Sequence, residues 1–169
     1  GVLRIPRYME MVGLGMIKTR AVPRVVSEHG AVALVDADLA PGSTGLEMLT
    51  QKAAEIARRM GAGICVGRNT THAGAIGYFA QSLAAKGLVG IVMTASKPLM
   101  AYPGAKGEAV STNPLAIAAP SADSDEPIVL DMSTAAVALG KVLAAKGAGQ
   151  AIPEGWGVDT AGRPTTDPA

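Results

Sequence analysis

The chain is 169 residues long, enough for about one domain with a core of its own, and 15 basic against 14 acidic residues leave a net charge of +1. With its lysines and arginines scattered and only 3% aromatic residues, it offers neither an electrostatic footprint nor a stacking surface for nucleic acid, so small molecules are the expected partners. A single cysteine excludes an internal disulfide, and neither a signal peptide nor an apolar run near the ~18 residues of a membrane helix is present, which predicts a cytoplasmic protein with no membrane partner.

Ile5, Met9, Val12 and Met16 recur at helical spacing and predict a short opening helix, with Pro6 tolerated in its first turn. Arg4 and Tyr8, four apart, would share one face of it. Arg24–Ser27 and Ala31–Asp36 read as strands joined by a His29-Gly30 turn, an antiparallel hairpin with His29 as an exposed turn residue. Thr44-Gly45-Leu46-Glu47 has capping-box spacing, and Leu46, Leu49, Ala53, Ile56 and Met60 mark the buried stripe of a helix that ends at Gly61. Ile64–Gly67 reads as a strand, with Cys65 a buried, inert thiol between Ile64 and Val66. After a tight turn come a helix from Gly77 to Lys86 and a strand from Leu88 to Met93. A loop broken by Gly and Pro runs from Ala95 to Thr112. Leu115–Ala118 and Ile128–Asp131 are strands around a polar turn, and the second feeds a helix from Ala135 to Lys146. The rest, from Gly147, is rich in Gly and Pro and reads as ordered loop. Hydrophobic residues make up 49% of the chain, nearly all aliphatic, as expected where helices pack on a largely parallel sheet.

His72 stands between a strand and a helix, at the rim where ligands settle in open α/β sheets. Imidazole exchanges a proton near neutral pH, so His72 is the candidate catalytic acid/base; a structural turn residue is the other reading. The standard nucleotide motifs fail. Gly13-Leu14-Gly15 and Gly61-Ala62-Gly63 open like the Rossmann fingerprint, but Lys18 and Val66 stand where its third Gly belongs, and no Walker A sequence exists. Two distant histidines and one cysteine give no metal-ligand spacing, and no nucleophile elbow is present. Polar residues at strand ends remain. Asp131 ends a strand before a predicted helix, where Ser133 and Thr134 would offer hydroxyls to an anionic group or simply cap the helix. Ser96 before Lys97-Pro98, and Thr112-Asn113-Pro114, also fit plain turns.

In order, the segments Gly1–Tyr8 (GVLRIPRY), Arg68–Gly74 (RNTTHAG), Thr112-Asn113-Pro114, Asp131–Thr134 (DMST), Ile152–Trp156 (IPEGW) and Pro164–Pro168 (PTTDP) resemble the malate/L-lactate dehydrogenase family of the non-Rossmann type. That family also holds ureidoglycolate, sulfolactate, diketogulonate and piperideine- or pyrroline-carboxylate oxidoreductases. The resemblance implies an α/β fold, a mixed and partly parallel sheet flanked by helices, that binds NAD or NADP without the Rossmann motif. It implies that residues 1–20 end an N-terminal helical segment and that residues 21–169 form the NAD(P)-binding domain, incomplete at its C-terminus. It makes His72 the proton-exchanging residue, Arg4 the partner of the substrate carboxylate with Tyr8 beside it, and Asn69 the shaper of the turn. Ser96, Thr112, Asn113, Asp131, Met132 and Ser133 match positions lining the dinucleotide site. Family members are about twice as long and dimeric, so the chain is expected to be the central piece of a homodimeric enzyme acting on a small 2-oxo or 2-hydroxy acid. The alternatives are a cyclic-imine carboxylate reductase and a non-catalytic nucleotide-binding or oligomerisation fragment. Two departures, Ala73 for a usual Phe and Ser111 for a common Gly, bear on which substrate is taken.

Overall fold

A computed structural model describes residues 4–102 and 104–169. Within them the chain forms two compact units, one of residues up to Gly90 with Ile117–Val129, the other of Ile91–Ala116 with Leu130–Ala169.

The first unit opens with helix α1, Ile5–Gly13, whose first turn carries Pro6 as expected. Strands β1 (Arg24–His29) and β2 (Val32–Asp36) pair antiparallel, with a bulge between Val25 and Ser27. His29 is the exposed last residue of β1, and the turn lies just after it. Helix α2, Gly42–Met60, then returns the chain so that β3 (Ile64–Arg68) pairs with β2 in parallel, Val32 opposite Ile64 and Asp36 opposite Arg68. A parallel pair needs such a crossover. The sheet has the order β1-β2-β3. Ala33 and Val35 of β2 are buried, as are Leu46, Leu49 and Ile56 of α2, which packs on β2 and β3. Helix α3, Gly77–Ala84, buries Phe79, Ala80 and Leu83 and packs on α2. Cys65 is half-buried, and desolvation pushes its thiol up from the ordinary value, which keeps it protonated.

Three expectations for these helices need correction. Helix α2 begins at Gly42, two residues before Thr44, and its N-cap is Pro41 with no side-chain cap. The capping box does not form because the Glu47 carboxylate accepts from Gln51 Nε2 at 2.6 Å, one turn on, while the Thr44 N–H donates to Pro41 O at 2.8 Å. The buried stripe also differs: Ala54 is 2% exposed, and Met60, in the last turn, is 54% exposed. Gly61 does end the helix, with φ +85°, the left-handed conformation glycine adopts without strain. Helix α3 stops at Ala84, two residues short of Lys86.

Strands β4 (Gly90–Met93), β5 (Leu115–Ala119) and β6 (Ile128–Met132) make a second sheet in the order β4-β5-β6. In the second unit, helix α4 spans Leu139–Ala148, four residues later than the sequence predicted, and its N-cap Ala138 supplies no side chain. The segment read as loop contains a short antiparallel pair, β7 (Gly157–Val158) and β8 (Pro164–Thr165). Asp159 closes that turn by accepting from the Ala161 and Arg163 N–H groups at 2.8 and 2.9 Å. Among the described residues no helix is long and apolar enough to cross a membrane.

Candidate active site

Because β2 and β3 run parallel, both reach the same rim at their carboxyl ends, Asp36 beside Arg68. The turns leaving that rim carry the site. Asn69 follows β3 with φ +51°, a left-handed conformation that asparagine tolerates better than most residues. Its amide donates to Asp36 Oδ1 at 3.0 Å. Thr71 donates to the Ala40 carbonyl at 2.8 Å. His72 comes next, in irregular backbone before α3.

Tyr8, on α1, places its hydroxyl 2.7 Å from His72 Nδ1, the rings lying 5.8 Å apart. One ring nitrogen is thereby engaged by the Tyr8 hydroxyl, and Nε2 is the other. Burial of part of the ring lowers the His72 pKa below the usual 6.5, and the Arg4 guanidinium pushes it the same way. Arg4, the N-cap of α1, therefore acts on the same imidazole that Tyr8 holds. The four residues expected to meet the substrate, Arg4, Tyr8, Asn69 and His72, all lie in the first unit, and the first three each bear on His72 or its turn.

The residues expected to line the cofactor site gather in the second unit. The Ser96 N–H donates to Ser111 Oγ at 3.0 Å, and the two hydroxyls lie 2.9 Å apart. Ser111, 5% exposed, also accepts from the Asn113 N–H at 3.4 Å. The Thr112 carbonyl accepts from the Thr134 N–H and hydroxyl, both at 2.9 Å, and from the Ser133 hydroxyl at 3.3 Å. Asn113 is held at φ +33°. Asp131 and Met132, exposed, end β6. Ser133 does not cap a helix: its hydroxyl accepts from the Ala135 N–H at 3.0 Å in an irregular stretch, and α4 begins only at Leu139. Anion binding at a helix start by Ser133 and Thr134 is thereby removed. Among the described residues no group of three His, Cys, Asp or Glu side chains could hold a metal ion.

Two residues, Asp36 and Gly42, escaped the sequence reading, and a third, Ser111, was noted there only as a departure from a common Gly. Asp36 is 5% exposed and accepts from Asn69, from the Asp38 N–H at 3.0 Å and from Arg68 Nε at 3.2 Å. The Asn69 amide and the Asp38 N–H, against the opposing effect of burial and with help from Arg68, hold its carboxyl at about 2. An acid closing an otherwise apolar strand was the available signal. Ser111 ties Ser96 to Asn113, and Gly42 lies against the His72 backbone, where a Cβ would collide with the His72 carbonyl. Gly42 had no signal beyond its residue type, and the structural tie made by Ser111 had none in the sequence.

The sequence matches the model of the malate/L-lactate dehydrogenase family over residues 1–169. The chain belongs to that family. Among malate/L-lactate dehydrogenase family relatives, the ureidoglycolate dehydrogenase (NAD(+)) of Escherichia coli strain K12 is 36% identical over 99% of this chain and 48% of its own length. The (2R)-3-sulfolactate dehydrogenase (NADP(+)) of Chromohalobacter salexigens is 37% identical over 99% of this chain and 50% of its own. The crystal structure of Δ1-piperideine-2-carboxylate reductase from Pseudomonas syringae superposes with a TM-score of 0.91 at 34% identity, covering 99% of this chain and 50% of that one. The chain thus spans about half the length of the relatives it matches.

Proposed function

We propose that the whole protein is an NAD(P)-dependent oxidoreductase that interconverts a small 2-oxo acid and its 2-hydroxy partner, with His72 exchanging the proton. One observation carries the reading: the Tyr8 hydroxyl holds Nδ1 of an imidazole that also feels the Arg4 charge. On this reading His72 is the acid/base group and Arg4, whose charge reaches it, the carboxylate receptor.

The roles are those the family resemblance implies, and that geometry supports them. Arg4 takes the substrate carboxylate, for which a guanidinium is a two-pronged donor. Pairing cancels the positive charge that lowers the His72 pKa, so the ring gains affinity for a proton once substrate is in place. In reduction the imidazolium gives its Nε2 proton to the carbonyl oxygen as that oxygen becomes a hydroxyl. In oxidation neutral Nε2 takes the hydroxyl proton back. Tyr8 keeps the ring turned throughout and Asn69 holds its turn. Ser96, Thr112, Asn113, Asp131, Met132 and Ser133 would hold the cofactor. Their hydroxyl, amide and carboxylate groups suit ribose and carboxamide, the Met132 side chain is apolar, and none of the six requires a phosphate loop. A nicotinamide dinucleotide supplies or removes the hydride when bound.

The likeness to a piperideine-carboxylate reductase favours one variant, in which a ring imine nitrogen replaces the carbonyl oxygen as proton acceptor. The test is nicotinamide turnover by the full-length protein against 2-oxo acids and a cyclic imine acid, with NADH and NADPH in parallel. Turnover of one class, lost by ~10²–10⁴ in His72→Ala with cofactor affinity unchanged, is expected. Unchanged turnover in His72→Ala removes His72 from the mechanism.

A further inference from the structure

The two turns that leave the rim of the first sheet are joined along their length, and the join ends at His72. It begins at Asp36. One carboxylate oxygen accepts from the Asn69 amide and the Asp38 N–H, both at 3.0 Å, and the other from Arg68 Nε at 3.2 Å. The backbone continues it: the Ala37 N–H donates to Arg68 O and the Leu39 N–H to Asn69 O, each at 2.9 Å. Thr71 reaches across to Ala40 O at 2.8 Å, and the His72 carbonyl rests where only a glycine, Gly42, leaves room. Asp38, Leu39 and Asn69 have φ of +52°, +56° and +51°. For a bulky residue such as Leu39 that conformation is strained, and such strain persists where surrounding contacts over-determine it, most often at functional sites.

We propose that Asp36 is a positioning residue for His72, fixing through Asn69 and the Asp38–Leu39 turn where the imidazole stands relative to Tyr8 and Arg4. Asp36 itself bonds neither His72 nor Tyr8; it acts through the turn. The proposal rests on His72 being the proton-exchanging residue, but its geometric content is tested without substrate.

The experiment is an NMR titration of the His72 ring in the full-length protein, its signal assigned by loss in His72→Gln, compared between wild type and Asp36→Asn. With the turn released, the ring leaves its place against the Tyr8 hydroxyl, and its midpoint rises toward the ordinary histidine value. In turnover assays kcat falls by about a hundredfold, the scale of an ångström-sized misplacement, with cofactor Kd unchanged. Asn69→Gly guards against a folding failure of Asp36→Asn, because glycine accepts the left-handed backbone while deleting the amide that reaches Asp36. It is expected to raise the His72 midpoint in the same way. An unmoved His72 midpoint in whichever variant folds overturns the proposal. A midpoint that depends on Asp36 in a protein that turns over no 2-oxo or imine acid supports the positioning and overturns the functional reading instead.

Discussion

At the scale of single residues, the site is a histidine with one nitrogen occupied and a cation nearby. Tyr8 and Arg4 act on it differently, so their removal separates. Tyr8→Phe keeps the ring contact and deletes the hydroxyl on Nδ1, which frees the imidazole to rotate. Turnover should fall by ~10-fold, the loss of one charge-assisted hydrogen bond of about 1.5 kcal/mol, with little change in KM. Arg4→Leu removes the proposed carboxylate partner and the charge that, after burial, depresses the His72 pKa. KM for the acid should rise by one to two orders of magnitude, roughly the 1.5–3 kcal/mol of a charge-assisted pair. In the oxidation direction, where neutral His72 takes the proton, the acid limb of kcat/KM, which reports the free enzyme, should move up in pH. Equal kcat and KM effects in both variants would mean that the two side chains do not divide the work in this way.

At the scale of elements, helix α2 carries a glycine at each end, and the two answer to different demands. Gly61 sits at φ +85° with open space around it, so Gly61→Ala should cost about 1 kcal/mol of stability, seen as a lower urea midpoint, and leave turnover alone. Gly42 meets the His72 carbonyl, so Gly42→Ala should displace that turn and reduce kcat while global stability changes far less than activity. Its effect on turnover exceeding that of Gly61→Ala is the outcome that matters. The contrast also marks how far sequence could reach. The Gly61 stop, the β1–β2 hairpin and the strand–helix–strand order of β2, α2 and β3 were legible because turn residues and hydrophobic period are local signals. The start of α2 was not, because Glu47 had two partners within reach and chose Gln51. The start of α4 misled for a related reason. Ser133 and Thr134 looked like helix-starting residues, but their hydroxyls bind Thr112 O, more than twenty residues away in sequence, and only tertiary structure brings that partner near. His72 could be nominated from type and position, whereas Arg4, Tyr8 and Asn69 were given roles only through the family resemblance. Asp36, whose role depends on the parallel register with Arg68, could not be nominated.

At the scale of the whole molecule, the titrating groups give the fold a pH profile with a direction for each limb. A group that binds fewer protons folded than unfolded makes stability fall as pH falls. His72 does so first, since its folded pKa lies below the usual 6.5; protonation begins to disfavour the fold as pH drops through that value. The carboxylates follow. Glu28, lowered chiefly by Lys52 and then Arg59, Asp38, lowered chiefly by Lys18, and Asp159, lowered chiefly by the Arg163 N–H, contribute stability above the ordinary carboxylate range that is lost below it. Asp36 contributes over the widest window, from its usual 3.8 down to about 2. On the alkaline side the signs reverse. The Cys65 thiol is raised by burial, so unfolding becomes easier once the exposed thiol can ionise above 9.0. Lys52, raised chiefly by Glu28 and then Glu55, holds its contribution below 10.5 and loses it as pH climbs through the higher folded value. Urea unfolding across pH should therefore show a plateau between about pH 7 and 9 with a steep acid limb. Asp36→Asn is the decisive variant for that limb, because an amide cannot titrate. Its stability at pH 7 should be lower than wild type, and the gap should narrow steadily between pH 4 and 2 as the wild-type carboxylate protonates. A gap that stays constant through that window would mean the Asp36 carboxylate is not what ties the two turns together.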